Sequence, residues 1–130
     1  MTINWKKALH ISLWTLQAIL SITLCWAAYI KLTLPIEQLE EMWPWVLENQ
    51  KLVRITGVFD GLAGIGLVIP GLVKIKPQLT IVASGGLVLL MICAIGFHIF
   101  RNEVHAIGFN MVFGILAGVI MWGRMKIPIK

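Results

Sequence analysis

Residues 54–70 read RITGVFDGLAGIGLVIP, and the other apolar segments of this chain are expected to pack around them. The stretch is apolar enough to lie in lipid, yet it carries one carboxylate, Asp60. Gly57, Gly61 and Gly64 recur at i, i+4 and i+7, so on a helix they share one face, which Asp60 borders. Small residues let a neighbouring helix approach closely, whereas a carboxylate at mid-bilayer costs roughly 2.5–3.5 kcal/mol. Asp60 should therefore face the interior of a helical bundle.

The composition is that of an integral membrane protein. Of the 130 residues, 58% are hydrophobic and 13% are charged, whereas soluble domains average roughly 45–50% and 25%. The mean hydropathy is +0.87. The net charge of +5 does not indicate nucleic-acid binding, because the lysines and arginines are spread over the ends of the apolar runs. The length allows a single domain, residues 1–130.

The apolar runs predict four membrane-spanning helices, at about residues 8–30, 52–72, 78–100 and 106–122. The first run is too long for the apolar region of a signal peptide and ends in Tyr29-Ile30-Lys31, so we expect a retained helix. Its polar side should face the other helices, and its apolar side, which includes Leu13, should face lipid. The second helix is expected to stop near Pro70-Gly71.

The segment between the first two spans is amphipathic. In residues 33–51, four glutamates alternate with apolar side chains that include Trp43 and Trp45. This pattern predicts a short helix at the membrane interface, with the tryptophans at headgroup level; the alternative is an ordinary polar loop. The four apolar spans, the short segments that join them and this amphipathic segment together predict an all-α fold. It is an up-down-up-down four-helix membrane bundle with one interfacial helix.

Loop charges predict the orientation in the cell membrane. Seven basic residues flank the two termini and the second loop, and four flank the first and third loops, which also hold five glutamates. The positive-inside rule then places both termini in the cytoplasm and residues 37–48 outside.

Six polar residues are expected to gather at the outer end of this bundle as a candidate ligand-binding cluster: Arg54, Asp60, His98, Arg101, Glu103 and Asn110. The competing interpretation is structural, in which Arg54 or Arg101 simply neutralises Asp60. Helix packing is assigned to small residues on the second and fourth helices: Gly57, Gly61, Gly64, Gly114 and Gly118.

No known catalytic or metal-binding pattern is present in the sequence. Cys25 and Cys93 form neither a CxxC motif nor a Cys/His metal spacing, so we expect free thiols. No Ser-His-Asp order is visible, and residues 54–66 lack the GxxxxGK[ST] pattern of a phosphate loop. We therefore assign no catalytic residue and no metal site.

Five motifs in order resemble those of the DoxX-like membrane proteins, over about residues 26–124. They are Arg54-x-x-Gly57-x-x-Asp60, Gly66-Leu67-x-x-Pro70, Pro77-x-Leu79-Thr80, Ala94-x-x-x-His98-x-x-Arg101-x-Glu103, and Asn110 followed by Gly123-Arg124. The family usually has glutamate where this chain has Asp60, so the acid is kept with a shorter reach. The resemblance implies a four-helix membrane protein, mostly bacterial, in a family named after a subunit of a thiosulfate:quinone oxidoreductase.

Three functions remain open at this point. The first is a small accessory subunit that holds a quinone-like molecule against the polar cluster and supports a membrane oxidoreductase. The second is a small transporter or permease in which Asp60 titrates. The third is a purely structural membrane partner. Membrane lipids, an oxidoreductase subunit or a second copy of the chain are the expected partners.

Overall fold

The computed structural model describes residues 4–129, and within that range it is built from helices and short turns. The elements are α1 (Trp5–Thr33), α2 (Ile36–Met42), a 3-10 turn (Pro44–Val46), α3 (Gln50–Val73), α4 (Leu79–Phe100), a second 3-10 turn (Val104–Ala106) and α5 (Gly108–Lys126). Among the described residues, α1, α3, α4 and α5 are long and apolar enough to cross a membrane. The predicted all-α membrane fold is confirmed. Lys130, which contributes to the charge bias, lies outside the described residues.

Two helices extend further than predicted. The side chain of Asn4 accepts a hydrogen bond from the Lys7 N–H and caps α1, which ends at Thr33, two residues before Pro35. Helix α3 includes Pro70 and ends at Val73, one residue beyond the predicted span of about 52–72. It ends where Lys74 takes the left-handed conformation, at φ 57°, and the Lys74 N–H bonds to the Pro70 carbonyl.

Contacts between side chains give the directions of two helix pairs. Lys31, near the end of α1, contacts Asp60 in the first half of α3, whereas Trp14 lies against Gly71 near the end of α3. Helices α1 and α3 are therefore antiparallel. Gly85 lies beside Met121, and Gly114 lies beside Met91, so α4 and α5 are antiparallel as well.

Close helix approaches occur at glycines. On α3, added Cβ atoms at Gly57, Gly61 and Gly64 would lie 2.9, 3.3 and 2.8 Å from side-chain atoms of α1, so this face packs against α1. On α5, a Cβ at Gly114 would lie 3.3 Å from Met91, whereas at Gly118 it would meet nothing within 4 Å. Gly118 therefore does not mark a tight helix contact.

The interior has two apolar cores. The larger lies between the four long helices and includes Leu20, Leu67, Leu87 and Ile120. The smaller consists of Ile30, Leu39, Val46 and Val53, and it packs α2 and the first 3-10 turn onto the ends of α1 and α3. The lipid-facing assignment of Leu13 is wrong: it is fully buried, because α5 presents Gly123 to it.

Candidate functional site

Asp60 forms an ion pair with Lys31. The Lys31 Nζ donates to Asp60 Oδ2 over 2.8 Å, and the two side chains are 14% and 5% exposed. The expected pairing of Asp60 with Arg54 or Arg101 is therefore wrong. Because α1 runs three residues beyond the predicted span, Lys31 lies on its last turn, where a long flexible side chain reaches the carboxylate.

Arg54 has a different role, at the end of α1. Its Nη1 donates to the backbone carbonyls of Lys31 and Leu34, over 2.6 and 3.0 Å. Carbonyls at the end of a helix lack partners within the helix, so Arg54 caps α1 beside the ion pair. Lys31, Arg54 and Asp60 together form what we call the Asp60 cluster.

A second group, the His98 cluster, forms where α4 ends. Glu103 Oε1 lies 3.2 Å from His98 Nδ1 and accepts from Arg101 Nε over 2.9 Å. Arg101 Nη1 also donates to Glu48 Oε2 over 3.1 Å, which ties the turn after α4 to the segment before α3. An open depression of about 540 Å³, lined by residues 47–52, lies beside Glu48.

Hydrogen bonding stabilises the charged forms of Glu103 and Arg101. Burial raises the pKa of Glu103, but hydrogen bonds from His98 and Arg101 outweigh it and hold the pKa below its usual range. The pKa of Arg101 is raised, chiefly by its hydrogen bonds to Glu103 and Glu48. Glu103 therefore remains a carboxylate at neutral pH and can accept a hydrogen bond from the Nδ1–H of His98.

Two tryptophans of one short segment connect the clusters. The Trp43 ring lies 5.3 Å from the Lys31 Nζ, a cation–π distance. The Trp45 ring packs edge-on against Phe97 and His98, at centroid distances of 5.6 and 6.2 Å. Both clusters thus lie at the same end of the bundle, which we call the Asp60 end.

The structure therefore places five of the six predicted residues in two separate clusters and leaves Asn110 outside both. Arg54 and Asp60 belong to one, and His98, Arg101 and Glu103 belong to the other. Asn110 is partly buried on the first turn of α5 and makes no side-chain hydrogen bond within residues 4–129. No group of three His, Cys, Asp or Glu side chains in that range is arranged to hold a metal.

Prediction from sequence missed Lys31 and the two tryptophans as site residues. A signal for Lys31 existed, because Gln17, Ser21, Ala28 and Lys31 continue one stripe at helical spacing on α1. When Lys31 is interpreted only as a charge that flanks the membrane span, its place in this stripe is overlooked. The roles of Trp43 and Trp45 depend on how the chain turns at Pro44, which spacing alone does not determine.

A buried polar network occupies the opposite end, which we call the Arg124 end. Gln17 Nε2 donates to the Leu67 carbonyl over 2.6 Å, and Gln17 Oε1 accepts from Arg124 Nε over 2.6 Å. Arg124 Nη1 lies 3.0 Å from His10 Nδ1. Gln17 and Arg124 are almost fully buried, so this network joins α1, α3 and α5 in the interior.

Comparison with known proteins places most of the chain in one family. The model described as the DoxX-like family matches residues 15–120. Searches of curated proteins and of solved structures found no match. The matched range contains both clusters of the Asp60 end and stops before Arg124.

Proposed function

This chain belongs to the DoxX-like family, and we propose that it is a membrane accessory protein that binds a quinone-like, lipid-soluble molecule. The bound molecule would serve a membrane oxidoreductase partner, since no residue here is assigned a catalytic role. The site is the Asp60 end of the bundle, between the Asp60 and His98 clusters.

The observation that carries the proposal is the environment of the Lys31 ammonium. Lysine has three N–H donors, and within residues 4–129 Lys31 uses one of them, on Asp60. Its side chain is partly exposed and lies beside the Trp43 ring. The Trp43 ring can stack on a planar molecule, and the remaining N–H groups of the Lys31 ammonium beside it can donate to the carbonyl oxygens of that molecule.

The His98 cluster supplies complementary chemistry. In the neutral tautomer of His98 whose Nδ1–H donates a hydrogen bond to Glu103, Nε2 carries no proton and can accept from the hydroxyl of a reduced, quinol-like form. Trp45 and Phe97 give this histidine an apolar surround. Oxidised and reduced forms of one ligand would therefore each find a partner at this end.

Two measurements test this proposal. The protein is purified in a mild, lipid-like detergent, and co-purifying small molecules are identified by mass spectrometry. A short-chain benzoquinone and its reduced hydroquinone form are then titrated, and the retention of each by the protein is measured by equilibrium dialysis. We expect His98→Gln to weaken retention of the hydroquinone by about tenfold, the loss that follows from leaving one buried hydroxyl without its acceptor.

His105→Gln is the matched control, since His105 is exposed and lies outside both clusters. It should retain the hydroquinone like the original protein. Equal retention by the His98 and His105 variants would contradict the proposed site. Proton-coupled uptake of a substrate by vesicles holding only this protein would favour the transporter function instead.

A further inference from the structure

Arg124 is a buried cation without an anionic partner among the described residues. Only 1% of it is exposed. Its Nε donates to Gln17, and its Nη1 is within hydrogen-bonding distance of His10 Nδ1 and the Ile127 carbonyl, none of which is an anion. Its Nη2 is buried and has no hydrogen-bond partner within residues 4–129. A buried charge left without a counter-charge is costly.

A cavity lies beside this arginine. It has a volume of about 90 Å³ and is lined by Pro77, Gln78, Ile81, Arg124, Pro128 and Ile129. At about 30 Å³ per water in the liquid, the space suits one small polar group. A carboxylate or phosphate group fits there, with the rest of a larger molecule outside.

The electrostatic surroundings favour an anion. Pro77 and Gln78 immediately precede α4, so the cavity lies at the positive end of that helix dipole. Lys74, Lys76 and Lys126 are exposed near the same end. The six acidic residues of the chain lie at or near the Asp60 end: five are within residues 37–60, and the sixth is Glu103.

We propose that the Arg124 cavity is a binding site for an oxyanion, a phosphate or carboxylate group, whose negative charge offsets the buried positive charge of Arg124. The site is separate from the quinone site and does not depend on it. An anionic lipid headgroup and a free phosphate ion share this chemistry, and the basic surface around the cavity attracts both.

The test uses the delipidated full-length chain. Native mass spectrometry measures binding of phosphatidylglycerol and of diacylglycerol, which lacks the phosphate group. Thermal unfolding in sodium phosphate is compared with unfolding in sodium chloride at equal ionic strength. We expect phosphatidylglycerol to bind at least about tenfold more tightly than diacylglycerol. Stabilisation by phosphate as well would show that the free ion enters, and its absence alongside lipid binding would identify the headgroup as the occupant.

Two pairs of variants locate the site. Arg124→Gln should lose about tenfold or more in affinity for the anion, whereas Lys51→Gln, which removes an exposed charge at the Asp60 end, should change it little. Ile81→Trp should fill the cavity and exclude the anion without altering Arg124. Val82→Trp, at a neighbouring position that is 67% exposed, is its control.

If Arg124→Gln does not fold, the Ile81 pair decides the question. The proposal is overturned if the protein shows no preference for phosphatidylglycerol and no response to phosphate. It is also overturned if Ile81→Trp binds the anion as tightly as Val82→Trp does.

Discussion

At the scale of single residues, the Lys31–Asp60 pair distinguishes a structural role from a ligand-binding one. Removing one partner of a buried ion pair costs roughly 3–5 kcal/mol, whereas replacing both with neutral side chains is often tolerated. We expect Asp60→Asn and Lys31→Met each to lower the stability of the protein in detergent. The double variant should recover most of that loss. Thermal unfolding of the four proteins gives the coupling energy.

Quinone retention by the same four proteins gives the second measurement. If the pair binds the ligand, the double variant regains stability but not retention. Full recovery of both stability and quinone retention would show that the pair has only a structural role. Arg101→Gln is the control for pairing: it contacts Glu48 and Glu103 rather than Asp60, so its effect should add to that of Asp60→Asn without coupling.

The burial of Asp60 followed from its sequence neighbours, but its partner did not. Glycines around a carboxylate within an apolar run already indicate a packed helix face. The choice between Lys31, Arg54 and Arg101 depends on where α1 ends and how far each side chain reaches. Arg54 is only six residues from Asp60 on the same helix, yet it turns to the carbonyls of α1. Such competition between acceptors is decided by tertiary geometry.

At the scale of helices, α3 and α5 offer the same substitution in two surroundings. A methyl group added at Gly66 would lie 2.7 Å from Ala83 Cβ, which cannot rotate away, whereas at Gly118 it would meet nothing within 4 Å. We expect Gly66→Ala to cost about 1–3 kcal/mol through overpacking of α3 against α4. Gly118→Ala should be neutral or stabilising by up to about 1 kcal/mol, the gain in helix propensity. Equal thermal stabilities would contradict this account of α3–α4 packing.

The end of α3 supplies another test of local structure. Lys74 is held in the left-handed region, at φ 57°, where a side chain costs roughly 1–2 kcal/mol. Glycine avoids that cost but loses more entropy on folding. Lys74→Gly should therefore stabilise the protein by a net of about 0.5–1 kcal/mol. Lys126→Gly, which removes a charge at the end of α5 where no positive φ occurs, should show no such gain in thermal unfolding.

Helix existence was predictable from sequence because apolar runs of about 20 residues have few other stable states in lipid. The exact ends of the helices were less predictable. Helix α3 was expected to end near Pro70-Gly71 and ends at Val73. Proline has no N–H for the Gly66 carbonyl, four residues earlier, and that carbonyl instead accepts from Thr80 Oγ1 over 3.4 Å, a contact that depends on tertiary packing. Asn110 is polar and Gly118 is small, as are the residues that do pack between helices, so the sequence alone does not separate them. The structure shows that Gly118 faces open space.

At the scale of the whole molecule, the two ends of the bundle carry opposite chemistry. The Asp60 end holds the acidic segment 37–48 and two clusters with ion pairs. The Arg124 end holds basic residues and a buried guanidinium without a carboxylate partner in the described chain. In a membrane this asymmetry predicts orientation, since basic loops remain in the cytoplasm. A lipid-soluble ligand and an anion would then be bound from opposite faces.

Labelling of single cysteines tests that orientation directly. Cys25 and Cys93 are exposed free thiols, so both are first replaced by serine. Glu37→Cys then introduces a thiol on α2, and Lys76→Cys introduces one in the turn between α3 and α4, both at exposed positions. A membrane-impermeant maleimide applied to intact cells should label Glu37→Cys and should reach Lys76→Cys only after lysis. The reverse pattern would place the Asp60 end in the cytoplasm, contrary to the basic-residue bias, and would reverse the faces from which the two proposed sites are reached.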